Sequence, residues 1–221
     1  TRLPRAIRDV YKRQVLSMTF GRPAAISDEQ MVSQQPSTWL PPTSLNASHD
    51  ESDLPGQFLA VSSMLYQLMS RSLAKQYGGN TGNIEFELDE LASLQASGEF
   101  RKALREWTSN LPPHLRLCEP QSNMLSENTQ VNRLRVILTL RYHNVCILVH
   151  RPLLTTTIRH LFNVDLVHES ASSCLMQPAM AEAQECMRAA KCTIDIVHDV
   201  MTTDSTSKNN LGVWSFTLYY G

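Results

Sequence analysis

The feature that most constrains the fold is a helical pattern over residues 128–151. Apolar residues recur there every three or four positions through five turns, at Val131, Leu134, Leu138, Tyr142, Val145 and Val149. Three more apolar residues, Ile137, Leu140 and Leu148, widen the apolar face. A face this wide is typical of a helix buried between neighbours, whereas a surface helix carries a narrower stripe. The pattern therefore predicts a helix at the centre of a helical domain.

Four further segments carry the same periodicity. The first spans residues 57–77 and ends at a Gly-Gly pair, and the second spans residues 88–110, with an interruption near Gly98 and a stop at Pro112-Pro113. A third begins with Pro178 in its first turn and extends to Met201. A fourth begins near Leu211 and carries Trp214, Phe216, Leu218 and Tyr219. Because strand signals are almost absent, we expect an all-α, multi-helix bundle-like domain over residues 57–221.

The first 56 residues have a different character. Residues 1–15 carry five basic side chains against one acidic side chain and resemble translated adapter sequence, so we expect this stretch to be non-native or disordered. The alternative is a localisation signal or a nucleic-acid-binding arm. Residues 16–56 are rich in Ser, Pro, Gln, Asp and Thr, and Pro41-Pro42 prevents a helix locally, which predicts an irregular connector.

Composition excludes several classes of function. The 20 basic and 21 acidic side chains are balanced, which argues against a polyanion-binding surface over the whole chain. No apolar run approaches the roughly 18–20 residues of a membrane-spanning helix, and no signal-peptide pattern is present, so we expect a soluble protein. The five cysteines are odd in number and irregularly spaced, which is typical of reduced, packing cysteines in an intracellular protein.

The chain offers few side chains for catalysis or metal binding. His143 and His150 are seven residues apart, so on a helix they lie about 10 Å apart along the axis, too far for one metal ion. Cys146 lies between them, but on an apolar face where a packing role is expected. Glycine-rich phosphate loops and serine-nucleophile elbows are missing from the sequence. We therefore expect no enzyme, no catalytic residue, no bound cofactor and no metal site in this chain.

The sequence HNVCILVHRPLL at residues 143–154 places two cationic residues inside an apolar segment. Pro152 disfavours helical geometry at Arg151. His150 and Arg151 are therefore predicted in the last helical turn, where their donors can cap unpaired carbonyl groups. On this hypothesis the helix stops here, and Leu153 and Leu154 return to the core after a bend.

Six segments in order resemble the fungal-specific transcription factor domain, the helical middle region of zinc-cluster regulators. The Gly21-Arg22-Pro23 sequence within SMTFGRPAAISDEQ is similar to the signature of that family, and the helix over residues 58–77 follows it. The remaining similar segments are LREWTSNLPPHL with Trp107 and Pro112, LVHRPLL with His150, Arg151 and Pro152, AQECMRAAKCTIDIV, and GVWSFTLYYG. The resemblance covers about residues 16–221, and it implies structural roles for these eight motif residues.

The resemblance implies a nuclear regulatory domain that modulates transcription by RNA polymerase II, with a small metabolite as a candidate effector. The six-cysteine zinc cluster of the family, which binds DNA, is not in this chain. Zinc and DNA contacts are therefore expected only in a missing N-terminal module, and the chain resembles a fragment truncated at both ends. Expected partners are the transcription machinery or corepressor proteins, with no membrane partner. The alternative is a helical protein-interaction scaffold that senses no ligand.

Overall fold

A computed structural model of the protein describes residues 54–77, 90–120, 130–162 and 173–202. Helix α1 is Leu54–Tyr77, α2 is Glu90–Ser109, α3 is Gln130–Phe162 and α4 is Ser173–Thr202, with a short 3-10 turn at Pro113–Leu115 between α2 and α3. The described elements contain no strand, so the all-α prediction is confirmed. The predicted helix from Leu211 lies outside the described residues.

The four helices alternate in direction, as the contacts between them show. Lys75 of α1 pairs with Glu99 of α2, whereas Trp107 near the end of α2 bonds to Val61 in the first half of α1. In the same way, Ile147 of α3 contacts Cys186 of α4, and His150, further along α3, contacts Glu182, earlier in α4. Between α2 and α3, Ser97 bonds to Val149, whereas Trp107, later in α2, stacks on Tyr142, earlier in α3. Each helix is therefore antiparallel to the next, which is the up-and-down arrangement of a bundle with sequential neighbours.

The main hydrophobic core lies where α1, α2 and α3 meet. Its fully buried members include Leu65 and Leu73 of α1, Leu115 of the 3-10 turn and Leu138 of α3. From α4, Ala189 contributes to the same core. A smaller cluster joins Cys118, in the connection before α3, to Val136 and Leu140 of α3 and to Ile196 and Val200 of α4. The predicted central position of the helix over residues 128–151 is confirmed, because α3 contacts all the other described elements.

Helix α2 has the predicted bounds to within two residues, but the predicted interruption near Gly98 is wrong. The helix is continuous through this glycine. Glycine lowers helix stability, but it keeps its backbone N–H and C=O groups and so can remain in the helical hydrogen-bond pattern. A Cβ atom placed on Gly98 would have no heavy atom within 4 Å. Gly98 therefore lowers the stability of the helix, and no neighbouring atom approaches closely enough to require a glycine.

Replacing Gly98 with Ala is expected to raise the free energy of unfolding by about 0.5–1 kcal/mol. The reason is that alanine restricts the unfolded chain more than glycine does, while the open space around Gly98 avoids a clash. Urea unfolding followed by far-UV circular dichroism measures the change. A loss of stability would contradict the open environment of this position.

The predicted helix stop at Pro152 is wrong, because α3 continues to Phe162 with Pro152 inside it. Leu153 and Leu154 therefore belong to the same helix, and they do not follow a bend out of it. The predicted start of the last described helix is also wrong, because α4 begins at Ser173 and Pro178 lies inside it. A proline removes a single backbone donor from a helix, and long helices with packed flanking turns tolerate this loss when the free carbonyl finds another donor.

Candidate functional site: the buried polar cluster around Pro152

The backbone carbonyl groups just before Pro152 are bonded to side chains from α1 and α2. Proline has no N–H, so the carbonyl of Leu148, four residues earlier, loses its donor within the helix. The Tyr77 hydroxyl, at the end of α1, donates to this oxygen at 2.8 Å. The next carbonyl, that of Val149, accepts bonds from the Ser97 hydroxyl and the Gln76 amide, each at 3.1 Å. These donors explain why α3 continues through the proline.

The donors are themselves held in place by their neighbours. Gln76 accepts a bond from the Ser72 hydroxyl one turn earlier at 3.0 Å and donates to Ser97 at 3.2 Å. The guanidinium group of Arg151 lies 5.2 Å from the centre of the Tyr77 ring, and its Nε donates to the Tyr77 hydroxyl at 3.3 Å. Burial raises the pKa of Tyr77, and the nearby Arg151 partly opposes that rise. Tyr77 is therefore a neutral donor at pH 7.

A buried carboxylate from α4 contacts the other side of this segment. Glu182 Oε1 pairs with Arg101 of α2 at 2.6 Å, and its Oε2 lies 2.7 Å from His150 Nδ1 of α3. The side chains of Glu182 and His150 are each only 4% exposed, whereas that of Arg101 is 38% exposed. Neither His150 Nδ1 nor Glu182 Oε2 has a hydrogen-bond partner, so this contact is a close approach of two buried polar atoms. Glu182 thus joins α2, α3 and α4 at one point.

Together these contacts bring α1, α2 and α4 to residues 148–152 of α3. We call this set the Pro152 cluster: Gln76, Tyr77, Ser97, Arg101, Leu148, Val149, His150, Arg151, Pro152 and Glu182. Because a buried charge or carbonyl group is costly unless it is paired, such a cluster fixes the relative positions of the helices. It is built for structural coupling between helices.

The cluster and its surroundings lack the features of an activated nucleophile or a metal site. Burial raises the pKa of the Cys146 thiol to about 12 and also raises that of Cys186, so both are protonated at pH 7. Burial lowers the pKa of His143 to about 4, so this imidazole is neutral. Within the part of the chain that the structure describes, no group of three His, Cys, Asp or Glu side chains could hold a metal ion. The described cysteines therefore do not fit a zinc cluster.

The chain is similar to two curated fungal proteins. It is 60% identical over 208 residues to a protein of Gibberella moniliformis named Transcription factor FBD3, and 55% identical over 210 residues to the protein of the same name in Fusarium pseudograminearum. Each alignment covers 94% of this chain, but only 27% and 28% of the two relatives. The chain thus spans about a quarter of their length.

No family model matches it. No solved structure is similar to it at a significant level. Within the described residues, no helix has the length and apolar character needed to cross a membrane.

The structure brings three of the predicted motif residues together. His150, Arg151 and Pro152 lie side by side in the Pro152 cluster, but none of them ends a helix. His150 contacts Glu182, and Arg151 stacks on Tyr77, so the predicted capping of carbonyl groups by these cations is wrong. The capping role is taken by Tyr77, Gln76 and Ser97, which are neutral side chains of other helices.

The other motif residues are distributed along the chain. Trp107 is buried at the end of α2, and its indole N–H donates to the Val61 carbonyl at 3.0 Å. Pro112 lies directly before the 3-10 turn, where its fixed geometry starts the connection from α2 to α3. Gly21, Arg22 and Pro23 lie outside the described residues, so their structural role stays a prediction.

Sequence reasoning missed five residues of the cluster, namely Gln76, Tyr77, Ser97, Arg101 and Glu182. One signal was present for Glu182. It lies on the same helical face as the small residues Ala179, Ala183 and Cys186, all of which are buried. A carboxylate on such a face predicts a buried partner. Nothing in the local sequence identifies that partner.

Replacing Tyr77 with Phe is expected to lower the free energy of unfolding by about 1–2 kcal/mol, because the Leu148 carbonyl is left without a donor. In a Pro152→Ala background, the backbone N–H of residue 152 returns and can bond to the same carbonyl. The cost of Tyr77→Phe should then fall below about 0.5 kcal/mol. Urea unfolding of the four variants measures this coupling. Equal costs in both backgrounds would contradict the link between Tyr77 and Pro152.

Proposed function

We propose that this chain is a helical regulatory region of a fungal transcription factor and does not itself contact DNA. The observation that carries the proposal is the 55–60% identity to two proteins named as transcription factors, over 94% of the chain. Identity at this level over so much of the chain supports a shared fold and a shared role. The chain corresponds to about a quarter of those proteins, so the proposal concerns one region of a longer regulator.

The charges of the described residues support a region that leaves DNA binding to another module. Proteins that bind duplex DNA neutralise phosphates with available Lys and Arg side chains. Here several cations are already paired with carboxylates, as in Lys75–Glu99, Arg101–Glu182, Arg188–Glu185 and Lys191–Asp195. Arg141 lies over the rings of Phe58 and Tyr66. A separate zinc cluster elsewhere in the longer protein is proposed as the DNA-binding module, with the nucleus as the site of action.

In this proposal the region is a non-enzymatic regulator. The raised pKa values of Cys146 and Cys186 support this, because neither thiol is an activated nucleophile. A small metabolite is proposed as an effector, with transcription machinery or a corepressor as the protein partner. The Pro152 cluster would transmit such a signal, since it links all four described helices.

A reporter assay in a fungal host tests the regulatory role. Residues 1–221 are fused to a bacterial DNA-binding domain, and transcription is measured from a promoter that carries its operator. We expect the fusion to change transcription relative to the DNA-binding domain alone. A matched fusion with Trp107→Ala, which damages the core, should lose the effect. Transcription that is unchanged by the wild-type region would contradict the regulatory role.

Two binding experiments separate the finer parts of the proposal. In gel-shift titrations, the chain alone is expected to show no sequence-specific affinity for fungal promoter DNA, and specific binding would contradict a non-contacting region. A thermal-shift screen against metabolites tests effector binding. A rise in melting temperature with one compound class supports sensing, whereas a flat response favours a protein-interaction scaffold.

A further inference from the structure

Most of α4 buries only small or polar side chains against the other helices. Over residues 173–193, the described buried side chains are Ala179, Glu182, Ala183, Cys186 and Ala189. Of these five, Ala189 alone belongs to the main hydrophobic core, and the partly buried apolar side chains packed against that core come from α1, α3 and the connection before α3. The larger buried side chains of α4, Ile196 and Val200, lie near its end in the smaller cluster.

The first two thirds of α4 therefore gains little stability from apolar burial. The stabilisation is proportional to the apolar area removed from water, and an alanine methyl group removes much less area than a leucine or an aromatic ring. Helices α1 and α2, in contrast, bury side chains such as Leu65, Phe100 and Trp107 in the main core. Small side chains bring α4 close to α3, but they do not hold it as strongly as the other helices are held.

One polar side chain joins this part of α4 to the rest of the bundle by ionic contact. Glu182 pairs with Arg101 of α2 and lies beside His150 of α3, whereas the other described ion pairs of residues 173–193 join residues of α4 to one another. Arg101 is 38% exposed, so it can turn to water when Glu182 leaves. Separating this part of α4 from the bundle therefore breaks one strong contact and uncovers little apolar surface.

We propose that residues 173–193 of α4 open from the bundle as a unit, while α1, α2, α3 and the cluster around Ile196 stay folded. A helix without packing partners is only marginally stable in water, and Pro178 removes a backbone donor from this part of α4, so the opened segment also loses its helical structure. Opening uncovers the side of α3 that carries Ile147 and His150. Native proteins open in such units, and the least stable unit opens first. This conformational device does not depend on the proposed role in transcription.

Hydrogen exchange of the folded 221-residue chain, measured by mass spectrometry on peptic peptides, tests the proposal. After correction for intrinsic rates, the amides of residues 175–193 are expected to exchange at least about 100-fold faster than the slowest amides of α1 and α3, because they exchange without global unfolding. Equal protection of α4 and of the α1–α3 core would overturn the proposal.

Two mild core variants test whether the opening is separate from global unfolding. Leu65→Val weakens the main core and Ile196→Val weakens the smaller cluster, and both sites stay packed in the proposed open state. Each variant should speed exchange of the slowest α1 and α3 amides by about threefold to tenfold and leave residues 175–193 unchanged. If Leu65→Val speeds both sets equally, α4 unfolds only with the whole bundle. If Ile196→Val speeds exchange of residues 175–193, the opening is not bounded by the cluster. Either result would overturn the proposal.

Glu182→Ala tests the contact that holds this part of α4 closed. The Glu182 contacts are lost on opening, so this variant should speed exchange of residues 175–193 by at least about tenfold. Glu185→Ala is the matched control, because Glu185 pairs with Arg188 on the surface of α4 itself, and it should change the exchange far less. An unchanged exchange rate in Glu182→Ala, or equal effects of the two variants, would contradict the role of Glu182 in holding the segment.

Discussion

Replacing Trp107 with Ala should lower the free energy of unfolding by about 4 kcal/mol. The side chain is 4% exposed and lies in the main core, and its ring stacks on Tyr142 with 5.8 Å between centroids. Its indole N–H donates to the Val61 carbonyl. Alanine removes the packing of α1, α2 and α3 around this ring and leaves a cavity. Urea unfolding followed by far-UV circular dichroism measures the loss.

Trp107→Phe separates packing from hydrogen bonding at the same position. Phenylalanine retains most of the apolar contact but cannot donate to Val61, so we expect a smaller loss of about 1–2 kcal/mol. A loss of less than about 1 kcal/mol for Trp107→Ala would contradict the central position of this residue. Equal losses for both variants would assign the stabilisation to the hydrogen bond.

Much of the fold follows from the local sequence. The bounds of α1 and α2 are close to the predicted ones, because the apolar periodicity and the glycine or proline residues after each helix act over short distances. The central position of α3 also follows from the width of its apolar face. These features depend on residues that are only a few positions apart in the sequence. Apolar periodicity reports relations over that distance.

The prediction that the helix stops at Pro152 is wrong for a physical reason that lies outside the local sequence. A proline disfavours the helix before it through steric clashes and through the carbonyl group that it leaves without a donor. In the folded chain, the donors to Leu148 and Val149 include Tyr77 and Ser97, which are 71 and 52 residues away in sequence. Tertiary hydrogen bonds therefore outweigh the local preference. The partners of His150 and Arg151, which are Glu182 and Tyr77, are also on other helices.

The buried carboxylate of Glu182 is the part of the Pro152 cluster with the largest expected effect on stability. Glu182→Ala should lower the free energy of unfolding by about 3 kcal/mol, near the lower end of the range for breaking a buried ion pair. Arg101 is partly exposed and can turn towards water, which limits the loss. His150 stays buried and loses the carboxylate that lies 2.7 Å from its Nδ1, which keeps the loss large.

Glu185→Ala provides the matched control for this prediction, because Glu185 lies one turn further along α4 and pairs with Arg188 on the surface. The hydrogen bond from Arg188 lowers the pKa of Glu185, but exposed ion pairs contribute little, so we expect a loss below about 1 kcal/mol. Urea unfolding of both variants at pH 7 makes the comparison. Equal losses would mean that Glu182 contributes no more than a surface charge. A much larger loss for Glu182→Ala would show that one carboxylate holds α2, α3 and α4 together, as a region that couples its helices requires.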